Sequence, residues 1–254
     1  MKTAINMLAN DIDQLIDRLD TIIDAAKSQG SRIGFFPALY RQVTLKIKQS
    51  ITENRFDDNP RMNEFTTNFG NRYLASLEAY RQGAQPSKSW QIAFEATNDS
   101  SLIILQHLLL GINAHINLDL GISAAETAPG DQLSSLERDF NQINDILAEC
   151  LELVQPVINQ FSPFVGLLDL VGGRTDEEIA NFSIIKARQE AWEYAQILAY
   201  QTPKQRQGAI AIIDRKVAIL AGTIANPGGF LEPVIDLIRW QESKDIVAIL
   251  DALN

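Results

Sequence analysis

The sequence predicts an all-α fold: a single-domain mixed or orthogonal helical bundle arranged around one buried central helix at about residues 102–120. Three observations predict it. Apolar residues recur at three- and four-residue steps along most of the chain, which is the helical period. No stretch sustains a two-residue alternation, and neither a β-hairpin signature nor an internal repeat of fixed period is visible. Residues 102–120 are apolar on every side of a helical wheel, as a helix must be when other helices surround it. At 254 residues and 46% hydrophobic composition the chain carries enough apolar material for one substantial core, so 1–254 is expected to form one domain.

Residues 3–28 place Ile5, Leu8, Ile12, Leu15, Leu19, Ile22 and Ala26 on one stripe, with aspartates elsewhere, and predict a long amphipathic N-terminal helix. Its stripe either packs on the chain's own core or forms the seam of a homodimer. A second helix is predicted from about Pro37, tolerated in a first turn, through Tyr40, Val43, Ile47 and Ile51. After the acidic turn at 56–61, Asn59 can cap a third helix with Pro60 in its first turn, and Gly83 is placed to end it after 62–82. A short helix at 90–96 and a polar turn at 97–101 lead into the central helix. Beyond Pro129 a long amphipathic helix reaches Asn159, followed by an irregular connection through 161–166 and 171–174. Three more helices are predicted at 176–200, 203–224 and 230–254, the last broken near Glu242.

The net charge of -10, from 32 acidic and 22 basic residues with the basic ones scattered, opposes nucleic-acid binding through counterion release. The lone Cys150 forms no intrachain disulfide, and one cysteine with two histidines cannot build a zinc-finger or iron–sulfur framework. The first thirty residues lack a basic region followed by a short apolar core, so a cytoplasmic protein is expected. The central helix is not read as a membrane span, because Gln106, His107, Asn113, His115, Asn117 and Asp119 would each be costly in lipid.

Both histidines fall on that helix. Residues four apart lie about 6 Å along the axis and about 40° around it, so His115 and Asp119 can share one proton or one ion, whereas His107 stands about 12 Å from His115. Gly111, between them, leaves a notch for another backbone or a ligand. Asn113 and Asn117 form a second pair facing another way, either architectural clamps or ligand-binding amides. Asp119, read as close to the helix C-terminus, opposes the macrodipole and needs a cation, metal or donor. Arg188, four residues before Trp192, is the cation placed against it or against a ligand carboxylate; its alternative is stacking on Trp192. Asp58 is one of several acids that could join His115 and Asp119 around a single divalent ion of zinc, manganese or iron. Tyr40 and Trp192 are among the aromatics that could wall an apolar pocket. No Walker loop, dinucleotide glycine fingerprint, nucleophile elbow or His-Glu-x-x-His appears.

The stretch Gly111-Ile-Asn-Ala-His-Ile-Asn-Leu-Asp-Leu120 resembles the signature of an uncharacterised family of helical proteins, a domain of unknown function. Supporting pieces are residues 36–44, Phe56 with its acidic turn, 69–74, Trp90 and 187–192. The resemblance covers most of the chain, implies no reaction, and directs attention to Asn113, His115, Asp119, Arg188 and Trp192. A second likeness, carried by Gly111, His115 and Asp119 alone, is to helical zinc-dependent phospholipases and nucleases, which use more histidines than this chain has.

Two functions follow. The first is an enzyme acting on a small, largely apolar substrate between helices, with His115 as acid-base group or metal ligand, Asp119 as orienter or co-ligand, Arg188 as anion partner, and Asn113, Tyr40 and Trp192 as binding residues. The second is a non-catalytic small-molecule-binding or scaffold protein in which the same groups are structural.

Overall fold

The computed structural model describes residues 7–168, 184–229 and 231–254. Ile5, the predicted connection at 171–174 and the predicted helix start at 176 lie outside them. The described residues form eleven α-helices and no strand, the all-α bundle expected from the sequence. In chain order these are α1 (Ile12–Gln29), α2 (Phe35–Thr52), α3 (Asn59–Arg81), α4 (Lys88–Ala96), α5 (Ile104–Ala114), α6 (Gly121–Thr127), α7 (Leu133–Phe161), α8 (Ile184–Leu198), α9 (Pro203–Ala225), α10 (Glu232–Gln241) and α11 (Ile246–Leu253). A π-helical segment, His115–Leu120, joins α5 to α6, so the central helix runs without a break from Ile104 to Thr127.

The N-terminal stripe takes its intramolecular alternative. Leu15, Leu19, Ile22 and Ala26 are buried against α2 and α3, and Leu15 fills the space beside Gly70. Leu8, toward the start of the described stripe, stays exposed. The helix starts at Ile12 instead of residue 3, because the Asp11 side chain accepts from the Gln14 N–H at 2.8 Å, and Gly30 at φ +57° ends it. At α3 the cap is Asp58 and not Asn59, and Gly83, at φ +72°, follows the end of the helix as expected.

Around the central helix stand α2, α3, α4, α8 and α9. It is the one helix among the described residues long and apolar enough to cross a membrane, and 83% of that stretch is buried inside the fold. Three buried carboxylates supply helix N-termini from far along the chain. Asp139 of α7 accepts from the Asp57 and Asp58 N–H groups at 2.7 and 3.0 Å, ahead of α3. Asp214 of α9 accepts from Lys88 and Ser89 N–H at 2.8 and 3.0 Å at the start of α4. Glu242, after α10, accepts from Ile104 N–H at 3.0 Å and from the Ser162 hydroxyl at 2.8 Å at the start of α5, where the Gln106 side chain accepts from Ile103 N–H at 3.1 Å. Each satisfies donors that a buried helix end would otherwise leave orphaned.

His107, in the first turn of the central helix, is buried, and burial pushes its pKa down to about 4. The unfolded chain therefore takes up a proton near pH 6.5 that the folded protein refuses until about pH 4, so stability falls as pH drops through that window. The expected loss is about 3 kcal/mol between pH 7 and pH 4, read from urea unfolding as the difference between wild type and His107→Leu. Glu242, whose pKa burial raises, works in the opposite direction in both proteins and cancels in that difference. Equal pH slopes in the two proteins would contradict the assignment.

Candidate active site

The site is built on the π-helical segment. Such a segment relaxes the i→i+4 backbone ladder over a single turn and is a frequent feature of functional sites. Here it turns His115 and Asp119 to the same side, with His115 Nδ1 3.3 Å from Asp119 Oδ2. Both residues are 2% exposed. Because the helix continues to Thr127, Asp119 stands mid-helix and not at a C-terminus, so no macrodipole argument applies to it.

The cation against Asp119 is Arg72 of α3, whose Nε donates to Oδ1 at 3.2 Å, and not Arg188. Trp90 of α4 donates its indole N–H to Oδ2 at 2.8 Å. Three elements thus converge on one carboxylate. Arg72 also reaches Glu126 at 3.5 Å, so its guanidinium bridges the buried acid to an acid nearer solvent. Arg72 and Trp90 escaped the sequence reading of the site, although both lie in stretches that carried the family resemblance. The available signals were an arginine three residues after Phe69 on a helix with a buried aromatic stripe, and an indole N–H that needs an acceptor once buried.

Arg188 is 3% exposed on α8 but turns toward α7, donating from Nε to Asn144 Oδ1 at 2.6 Å and from Nη2 to the Phe140 carbonyl, with its guanidinium 4.4 Å from the Phe140 ring centroid. The ring it stacks on is Phe140, and Trp192 packs on that same ring at 4.8 Å. Trp192 does not line the cavity described below, nor does Asn113. Asn113 donates to the Val217 carbonyl at 3.0 Å and accepts from Asn117 at 2.9 Å. The asparagine pair is therefore the architectural clamp of the two alternatives, tying the central helix to α9. The notch at Gly111 holds the Phe36 ring, which stands 2.6 Å from where a Cβ would sit.

Beside His115 lies a cavity of about 80 Å3 between α2, α3, the central helix, α7 and α8. Its walls are almost wholly apolar, with Phe36, Phe65, Phe69, Ile116 and Leu120 among them, and half-buried Leu39, Val43 and Leu147 belong to its α2 and α7 sides. Tyr40, Thr66, Cys150 and Arg188 are the other polar or titratable residues that line it with His115. The His115 ring stacks on Phe69 at 3.6 Å between centroids and meets Tyr40 edge-on at 4.5 Å. His115 Nε2, the Tyr40 hydroxyl and the Thr66 hydroxyl are all buried with no hydrogen-bond partner. Buried polar atoms are normally paired, so three unpartnered ones from residues around one cavity stand out.

Electrostatics fix the protonation of this set. Burial pushes the His115 pKa down, the Asp119 hydrogen bond and charge pull it partly back, and Arg72 lowers it again, so the ring is neutral near pH 7. With a carboxylate oxygen facing Nδ1, the proton sits on Nδ1 and Nε2 keeps its lone pair. Burial raises the Tyr40 phenol far above its ordinary value, which leaves it a hydroxyl and a donor. Burial likewise raises the Cys150 thiol, which removes it as a thiolate nucleophile. Replacing Thr66 with valine deletes an orphaned hydroxyl without deleting a hydrogen bond, so unfolding free energy should stay within about 1 kcal/mol of wild type or rise. A larger loss in denaturant titration would show that the hydroxyl is already paired.

The described residues do not fit a metal. No group of three or more His, Cys, Asp or Glu among them converges on one point. Asp58 is held as the α3 cap, and both Asp119 oxygens already accept from N–H donors. The likeness to zinc-dependent phospholipases and nucleases finds no support in this ligand set.

A helical protein with a carboxylate-oriented, neutral histidine beside an apolar cavity is the class that fold and site define. The chain belongs to a family of unknown function, DUF5995, whose model matches residues 12–227. No curated protein and no solved structure matches it.

Proposed function

We propose that this protein is an enzyme that takes a small, largely apolar molecule into the cavity beside the central helix and acts on it by metal-free acid–base chemistry. His115 Nε2 is the base, Asp119 holds its tautomer and stabilises the imidazolium formed on proton uptake, and Arg72 and Trp90 hold Asp119. The Tyr40 and Thr66 hydroxyls are the donors available to an oxygen that gains charge during the reaction. The observation that carries this reading is the unpartnered His115 Nε2 beside an almost wholly apolar cavity. Such a base deprotonates a bound hydroxyl or an attacking water, and short-chain esters and amides are the substrates to screen first.

Wild type and His115→Gln are to be compared on that panel. The expected result is turnover by wild type that falls in acid as His115 becomes protonated, with a loss of about 100-fold or more in the variant at unchanged helical content. Equal turnover in the variant, or a rate that does not fall in acid, would end the acid–base assignment. The same cavity also suits a non-catalytic binding protein, a reading favoured by the burial that raises the pKa of Tyr40 and Cys150, so that neither of these lining groups gives up a proton readily near pH 7. Probe binding without turnover anywhere on the panel would select it.

A further inference from the structure

Arg188 is the one cationic side chain among the described residues that line the cavity, and it sits there without a counter-ion. It is 3% exposed, and its contacts are an amide oxygen, a backbone carbonyl and an aromatic face, none of which carries a negative charge. No carboxylate among the described residues makes an ion pair with it. A buried guanidinium normally meets an anion, because a solitary buried charge is expensive, and with Nε and Nη2 donating to Asn144 and Phe140 it is the Nη1 side of Arg188 that an anion would meet. Burial alone lowers its pKa, to about 9, so it is still charged at neutral pH.

The geometry points to a short-chain carboxylic acid anion as the molecule this cavity takes, with its carboxylate against Arg188 and its chain along Phe65, Phe69, Ile116 and Leu120. This assignment rests on the reading of the cavity as a ligand site and adds the ligand's charge. Size limits the chain. A cavity of about 150 Å3 admits benzene with its six carbons, so 80 Å3 encloses about three carbons, and the open side of the cavity leaves room for the rest of a chain of about five. The carboxylate answers the one unpaired charge, while a hydroxyl or reactive carbon elsewhere on the chain meets His115 Nε2.

The probes are pentanoate and 1-pentanol, matched in chain length and different in charge, titrated calorimetrically into the intact wild-type protein. Pentanoate is expected to bind at least about ten-fold more tightly than 1-pentanol. Arg188→Met should erase that preference by weakening pentanoate alone, and Arg188→Lys, which keeps the charge without the fork, should retain part of it. If 1-pentanol binds wild type as well as pentanoate does, the carboxylate assignment is overturned and the cavity reading stands. If neither probe binds wild type, the cavity reading fails and takes this one with it. The wild-type comparison decides the matter even where a variant does not fold.

Discussion

Replacing Asp119 with alanine is expected to destabilise the protein by about 3–5 kcal/mol, among the largest effects of any single side chain in the fold. The loss comes from what Asp119 leaves behind. The Trp90 indole N–H is buried and has no other acceptor, and His115 loses the carboxylate that fixes its Nδ1 proton. Arg72 suffers less, since it is partly exposed and keeps Glu126. Asp119→Asn should recover little, because an amide presents a donor where one of the three donors now points. Chemical denaturation measures both variants, and a loss below about 1 kcal/mol in Asp119→Ala would mean that water replaces the carboxylate and that the cluster is not closed.

The second large effect is expected at Gly121, where α6 crosses α8. A Cβ there would stand 2.4 Å from the Ala191 carbonyl oxygen and 3.2 Å from Tyr194 Cβ. A backbone oxygen in a helix cannot rotate away, so the two helices must separate. Alanine in place of a helical glycine gains about 1 kcal/mol from backbone entropy, which overpacking of this kind outweighs, leaving a net loss of about 2 kcal/mol or more. Because α8 carries Arg188, the same variant should weaken binding in the cavity. Gly208 in α9 is the control: nothing lies within 4 Å of its Cβ position, and Gly208→Ala should stabilise by about 0.5–1 kcal/mol. Thermal or denaturant unfolding of the pair separates the crossing from a general intolerance of substitution, and a Gly121→Ala protein as stable as Gly208→Ala would refute the close approach.

What the sequence made legible follows physical range. The stripe from Ile12 to Ala26, the proline at the start of α3, the αL glycines after α1 and α3 and the all-round apolar central helix are local signals, and each marks an element of the structure. The break near Glu242 was readable as a break, but its reason was not. Glu242 is held by the start of α5, 138 residues away, and no period or cap motif encodes such a partner. The same limit governed the site. His115 and Asp119 share a face in an α-helix and still do so in the π-helical turn, so their pairing was readable from spacing. Which arginine would meet Asp119 depended on the crossing of α3, and proximity to Trp192 in the chain pointed to Arg188 instead. Asp58 was plausible as a ligand by type alone, and its role as a cap became visible only where α3 starts.

The proposed chemistry requires that His115 keep a bare nitrogen beside a space that a small molecule can enter. Long-range 1H–15N NMR of the two histidines, assigned with His107→Leu, tests this directly while 1-pentanol is added near pH 7. The expected result is a proton on Nδ1 of His115, an unprotonated Nε2, and a shift of that Nε2 signal as the alcohol donates to it, with His107 unmoved. A proton on Nε2, or a His115 spectrum indifferent to the alcohol, would contradict it.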